Sequence, residues 1–570
     1  MWQSEKAALP AHEATSAWTF ADMDVVWHEF MPLTPYGKDY IYARTVHTDP
    51  SVLAEIYDDT EQMAKFHESR AKTSSELEKL AWHLSRIPRL PAALDDSLDI
   101  FLIKKFISNY RALGDSLDEE SRKIFGFVFY SDALLEELNK GGSDSETFFI
   151  ASSYDSELEA VRIGIREISE KLALNRKENE ERITRIWGVD FKNREFITVP
   201  ADLAMKMSAQ TGQAGYPAIA VESFDDSYCL IRPLPDEAAL ELQRQHVTLR
   251  EKEAIRERAV LQRLFEKVSA ELDHLGIYAK VVERLDLARA RYLLKKKYGL
   301  QKPDFDAPVM DIREGRFIPL EKECLSAGRT YTPLNMRSHK PVAVLFGSNM
   351  GGKTIVLRTV LFLQLMAQTG LGVPAEVFRT RIYASIRYVG DNGQDLQKGL
   401  SGFGMEIYAL ADIIETAKRG TCLCAFDEFA HSTSSDEAEA LLSAVVAWFS
   451  RNPGNRMLFA THFRRIARTS DADYYAMAGL DVKRAEQVIR DSLCSDSAGK
   501  EKNLIERIRM INEMMRYVVC PEKSIGKSTE TLLREPESGN GSDALAVASL
   551  LGLEPEIIQS ATKILKEKHA

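Results

Sequence analysis

One octapeptide limits what this chain can fold into. Gly347-Ser348-Asn349-Met350-Gly351-Gly352-Lys353-Thr354 follows the apolar run Val342-Ala343-Val344-Leu345-Phe346 and opens a stretch of helical character. A strand, a glycine-rich turn and a helix in that order read as a phosphate-binding loop. Small residues let backbone N–H groups point at phosphate oxygens, and the helix adds its positive end. Lys353 can reach the outer phosphates, and the Thr354 hydroxyl suits Mg²⁺. By chance the bare pattern arises with a probability of about 0.02 in a chain this long. The surrounding segment is therefore expected to bind a nucleoside triphosphate.

Three further elements follow in order. Thr421-Cys422-Leu423-Cys424-Ala425-Phe426-Asp427-Glu428 is an apolar strand ending in two acids. Asp427 would sit at the metal and Glu428 would polarise a water, which suffices for a reaction that needs mainly positioning and charge neutralisation. Arg456-Met457-Leu458-Phe459-Ala460-Thr461-His462 is a second buried-strand pattern, and its terminal His462 could sense the last phosphate or orient the attacking water. A histidine after a strand is otherwise a structural residue. Gly399-Leu400-Ser401-Gly402-Phe403-Gly404-Met405-Glu406 heads a helical stretch over 407–417. Ser401 there either serves a nucleotide held by another subunit or simply caps the helix.

These segments resemble the ATPase domain of the MutS family. The family's loop reads Gly-Pro-Asn-Met-Gly-Gly-Lys-Ser, and this chain keeps Asn349, Met350 and the double glycine; its Ser-Thr-Phe signature becomes Ser401-Gly402-Phe403. The run Ala367 to Ala375 and the segments Ser542 to Ala548 and Gly552 to Ile558 are also similar to the family pattern. The resemblance implies an α/β P-loop NTPase domain (ABC-like ATPase, MutS domain V) preceded by a mainly α-helical lever domain with a small strand-containing clamp insertion. It implies ATP and Mg²⁺ as cofactors and ATP hydrolysis as the activity. It also implies a homodimer, or a heterodimer with a related MutS-like chain, with DNA as the gripped substrate. The loop after Glu428 departs from mismatch-repair members, having Phe429-Ala430-His431-Ser432-Thr433-Ser434-Ser435 where they carry Arg-Gly-Thr-Ser-Thr. It looks more like MutS-like ATPases found beside cobalamin- and pyridoxal-phosphate-dependent aminomutases. A protein client, such as a cobalamin-dependent aminomutase to be reactivated, is the alternative to DNA.

Composition sets broad bounds. A chain of 570 residues should form several domains. No apolar run is long and charge-free enough to span a bilayer, and the first residues lack the form of a secretory signal, so a cytoplasmic protein without a membrane partner is expected. Six cysteines are too sparse for a disulfide framework. Cys422 and Cys424, two apart in a strand, should face one side without binding metal. A net charge of −11 is unlike a dedicated nucleic-acid binder, whose affinity comes largely from neutralising phosphates.

The amino-terminal half is expected to be helical over 51–67, 75–84 and 100–113, with long charge-rich helices over 154–181 and 236–273 forming a stalk or coiled pair. Phe196 to Val199, Ala218 to Val221 and Tyr228 to Ile231 should be strands of a small insertion. With these elements the resemblance implies a first lever part at 1–185, a reduced clamp at 186–235, a second lever part at 236–303, the ATPase domain at 304–500 and dimerising helices at 501–570. Thr34-Pro35-Tyr36-Gly37 resembles the start of the family's lever and Leu285 to Ala290 its end. A lever that begins within forty residues leaves no room for the family's mismatch-reading and connector domains, and no apolar wedge for kinking a duplex is recognised.

Overall fold

Buried apolar runs, each a strand long, build the sheet that carries the candidate site. The computed structural model describes residues 11–69, 74–142, 148–192, 194–211, 213, 215–347, 352–390, 402–430, 433–463, 465–480, 515–521, 545, 548 and 553–569. Two compact units divide the chain. One comprises Glu78–Arg122 and Gly126–Val282; the other comprises Met1–Leu77, Lys123–Phe125 and Glu283–Ala570. The stretch expected as the first lever part, 1–185, is thus shared between them.

The first unit is mainly helical. Its helix Ser97–Ser116 starts at a reciprocal cap, Asp96 accepting from the N–H of Asp99 while the Asp99 carboxylate accepts from Asp96. Two long helices, Ser156–Trp187 and Glu237–Ser269, begin at the capping aspartates Asp155 and Asp236. They run antiparallel, because Arg162 bridges Glu253 at 2.8 Å while Asn175 reaches Asp236 at the other helix's start. Ion pairs from Arg162 to Glu257 and from Arg263 to Asp155 extend the seam. This is the coiled pair that the charge-rich periodicity foretold. Between the helices lie β1 (Ile197–Pro200), β2 (Ile219–Ser223) and β3 (Tyr228–Pro233), an antiparallel sheet in the order β1-β3-β2. All three expected apolar runs lie in it. A helix, Ala201–Gln210, was not foreseen; it buries Ala204 and Met207 with Val199, Ile219 and Ile231 in a small core.

The second unit contains β4 (Met310–Gly315), β5 (Leu334–Ser338), β6 (Val342–Phe346), β7 (Val377–Arg379), β8 (Ser385–Val389), β9 (Cys422–Asp427), β10 (Arg456–Thr461), β11 (Ala472–Leu480) and β12 (Met515–Pro521). Six of them form a sheet in the order β12-β11-β6-β10-β9-β8, parallel except for the edge strand β12. Alternate residues of each parallel strand enter different cores, as a sheet covered on both faces requires. Ala343, Leu345, Leu458 and Ala460 join the core beneath the helix Lys353–Gln368, whereas Val342, Val344, Met457 and Phe459 face the helices Gly402–Arg419 and Ser435–Ser450. Cys422 and Cys424 share the latter face and are fully buried. Among the described residues no group of three His, Cys, Asp or Glu side chains could hold a metal ion. A second sheet, β5-β4-β7, was not anticipated because its strands are short and mixed in polarity. No described helix is long and apolar enough to cross a membrane.

The amino-terminal segment is built into this unit. Phe20 stacks on Tyr388 of β8 at 3.5 Å between ring centroids, the Tyr388 N–H donates to Ser16 Oγ, and Asp22 pairs with Arg358. Asp286, fully buried, accepts from the N–H groups of Leu33 and Thr34 and from the Thr34 hydroxyl. Burial raises its pKa, while those donors act in the opposite direction. The two segments compared with the start and end of a lever are therefore joined directly. At the far end of the helix Lys353–Gln368, Tyr57 donates to the carbonyl of Ala367, and Gln368 exchanges hydrogen bonds with the backbone of His47.

Two stability measurements follow from this packing. Asp286→Ala leaves the part-buried Leu33 N–H and the buried Thr34 N–H and hydroxyl without their acceptor, so chemical denaturation should report a loss of about 3 kcal/mol. Glu29 provides the pH test: burial acts to raise its pKa, but hydrogen bonds from Lys297, Lys322 and Tyr298 outweigh it and hold the value at about 2 instead of 4.5. A depressed folded-state value stabilises above 4.5 and is lost as pH falls toward 2. Glu29→Gln should therefore melt below wild type at pH 7, with the two curves converging between pH 4.5 and 2. A gap that stayed constant would reject the ionic origin.

Candidate functional site

Register brings the site together. Phe346 of β6 pairs with Thr461 of β10, and Ala460 pairs with Asp427 of β9. Gly347, His462 and Glu428 therefore leave three adjacent parallel strands at one carboxyl edge, the place where open α/β sheets hold ligands. Gly352 has φ +87°, a left-handed conformation suited to glycine, and starts the sixteen-residue helix that begins with Lys353 and Thr354. Of the expected loop, Ser348, Asn349, Met350 and Gly351 lie outside the described residues, as does Ser401.

The described members make close contacts. Lys353, buried, donates from Nζ to the Gly347 carbonyl at 2.9 Å and stands 3.9 Å from a Glu428 carboxylate oxygen. Burial lowers its pKa, and the charges of Glu428 and Asp427 act to raise it. The Thr354 hydroxyl donates to Asp427 Oδ2 at 2.7 Å. Burial raises the Asp427 pKa, opposed by that hydrogen bond and by Lys353, while Glu428 reinforces the rise. Asp427 Oδ1 is buried without a hydrogen-bond partner among the described residues. An orphaned carboxylate oxygen beside a hydroxyl oxygen is a donor set that fits a hard, oxygen-seeking cation such as Mg²⁺.

The turn after β9 is unusual. Glu428 and Ala430 have φ of +54° and +64°, and neither is glycine. Such conformations cost on the order of 1–3 kcal/mol each and persist only when their surroundings fix them. Glu428 N–H donates to the Ala460 carbonyl at 2.9 Å, the buried Phe429 ring meets Phe426 edge-on, and Ala430 N–H donates to Glu406 Oε2 at 2.6 Å. The His462 side chain is exposed, with its ring 4.3 Å from that of Phe463. The structure thus brings Lys353, Thr354, Asp427 and Glu428 into contact and leaves His462 at the same edge, facing solvent. Sequence reasoning missed Glu406 and the left-handed turn. Glu406 lies within a segment already singled out, but nothing in its spacing gives a contact with a residue 24 positions later.

Fold and site together define an α/β domain with a lysine, a hydroxyl and two carboxylates gathered at the ends of parallel strands. Residues 343–500 match the family described as MutS domain V. Over 220 residues the chain is 29% identical to the DNA mismatch repair protein MutS of Streptococcus pneumoniae serotype 19F and to the DNA mismatch repair protein HexA of S. pneumoniae serotype 4. That alignment covers 38% of this chain and 26% of each relative, so the chain matches about a quarter of the length of these curated relatives. The chain is thus similar to the MutS family through a divergent domain V.

Proposed function

We propose that this protein hydrolyses ATP to ADP and phosphate at the edge formed by β6, β9 and β10, in the cytoplasm. The observation that carries the reading is the Thr354–Asp427 hydrogen bond with the second Asp427 oxygen left over, set beside Lys353 and Glu428. Lys353 and the backbone from Gly347 through Ser348, Asn349, Met350, Gly351, Gly352 and Thr354 would hold the phosphates. Thr354 and Asp427 would hold Mg²⁺, which supplies charge neutralisation when bound. Glu428 would accept the proton of the attacking water, with His462 orienting it. In the proposed assembly two MutS-like chains, identical or related, face each other, and Ser401 of each reaches the other's nucleotide. Helices within 501–570 would join the pair. The lever parts at 1–185 and 236–303 would carry the resulting motion to the clamp at 186–235.

Two substrates for the arms are in contention. The names of the bacterial relatives point to DNA and mismatch repair. A specific observation favours a protein client. The region 186–235 carries four basic side chains against six acidic ones, and one of the four, Arg232, is paired with Glu222. Phe196, Met205 and Phe224 are 55%, 73% and 61% exposed there. An apolar, mildly acidic surface fits a protein better than a phosphate backbone.

Lys353→Ala should abolish ATP binding, whereas Glu428→Gln should keep binding and lose turnover by about 100-fold or more. Full turnover by Glu428→Gln would remove Glu428 from the proposed chemistry. For the substrate, Glu428→Gln protein with ATP should recover a protein from extract in a nuclease-resistant manner. Recovery abolished by nuclease, with binding that falls steeply between 50 and 200 mM salt, would instead establish DNA.

A further inference from the structure

We propose that Glu406 is a positioning residue for Glu428: its carboxylate holds the turn after β9 and so sets where the Glu428 carboxylate stands. The inference rests on the ATPase reading above. Glu428 and Ala430 are both left-handed, so the backbone on either side of Phe429 depends on anchors outside the turn. Three such anchors are present. The Glu428 N–H is held by Ala460 of β10, and the Phe429 ring is held by Phe426 of β9. Both belong to the parallel sheet. The third is Glu406, whose Oε2 accepts from the Ala430 N–H at 2.6 Å.

Ala430 is fully buried, so an N–H there has little access to solvent, and a carboxylate acceptor makes the bond charge-assisted. Glu406 is the anchor that comes from a different element. It lies in the helix Gly402–Arg419, which packs on the sheet through Leu410, Ile413 and Ala417. That helix begins next to Ser401, the residue assigned to the partner's nucleotide. A shift of the helix along its axis would move Glu406, release or tighten the Ala430 N–H, and change the direction in which Glu428 points. Glu406 thereby links the helix that follows Ser401 to the residue proposed to prepare water.

Two substitutions separate reach from charge. Glu406→Gln keeps an acceptor oxygen at the same distance without the charge; Glu406→Asp keeps the charge but is one methylene too short. Steady-state ATP hydrolysis, binding of a fluorescent ATP analogue and thermal unfolding should be measured on the full chain. Glu406→Gln should retain kcat within about threefold of wild type, whereas Glu406→Asp and Glu406→Ala should lose tenfold or more, all with ATP KM and analogue affinity within about twofold. A kcat loss without a KM change, together with recovery by glutamine, is not what a general weakening of the fold produces. If Glu406→Ala fails to fold, the aspartate and glutamine pair still decides. Wild-type turnover by Glu406→Asp, or a Glu406→Gln variant as impaired as Glu406→Asp, overturns the inference alone. A wild-type protein that neither binds nor hydrolyses ATP overturns the ATPase reading and this inference with it.

Discussion

The in-register hydrogen bonding of β6, β10 and β9 is the constraint on which everything else in the α/β unit depends. Because Thr461 lies beside Phe346 and Ala460 beside Asp427, the three chain segments turn away from the sheet at one level. A slip of one residue would exchange the two faces of a strand and move its terminal polar group away from the others. Continuous apolar runs that fill both cores hold the register, so the same burial that stabilises the sheet aligns Lys353, Thr354, Asp427 and Glu428. A local hydrogen bond, Thr354 to Asp427, then joins the helix after β6 to the end of β9.

The helix Lys353–Gln368 gives this arrangement reach. Thirteen of its sixteen residues are buried, its first turn belongs to the candidate site, and its last turn is hydrogen-bonded to Tyr57 and His47. Sixteen residues span about 24 Å. Packed on nearly all sides, such a helix moves as a rod. Asp22 and Arg358 add a contact one turn beyond Thr354. The amino-terminal segment is thus connected both to the first turns of this helix and to its opposite end.

Much of the fold was legible because its signals are local. A five-residue apolar run before a glycine-rich turn marks β6, and charge-rich periodicity marks the paired helices. The strand pairs Asp427-Glu428 and Thr461-His462 were found because each ends an uninterrupted buried run. What was missed depends on contacts between distant residues. The strands of β5-β4-β7 have no distinct period, and the stacking of Phe20 on Tyr388 links positions 368 residues apart by number, with no pattern in either segment. The left-handed backbone of Glu428 and Ala430 was hidden because neither is glycine, and Glu406 was hidden because its partner is a backbone N–H. Local sequence therefore indicated which residues gather at the strand ends, whereas their restraint comes from tertiary packing.

The docking of the amino terminus also bears on how the chain is made. Ser16 and Tyr388 are separated by 372 positions, and Asp286 completes the Thr34 cap only after a further 252 residues have followed Thr34. At ribosomal rates of about 5–20 residues per second, Ser16 waits roughly 20 to 75 s for its partner strand. During that interval Trp18, Phe20, Trp27 and Phe30, all buried in the finished protein, have no β8 or helix Lys353–Gln368 to pack against. Until those later elements are made, these apolar side chains lack their native cover, the kind of surface that makes incompletely folded chains prone to aggregate.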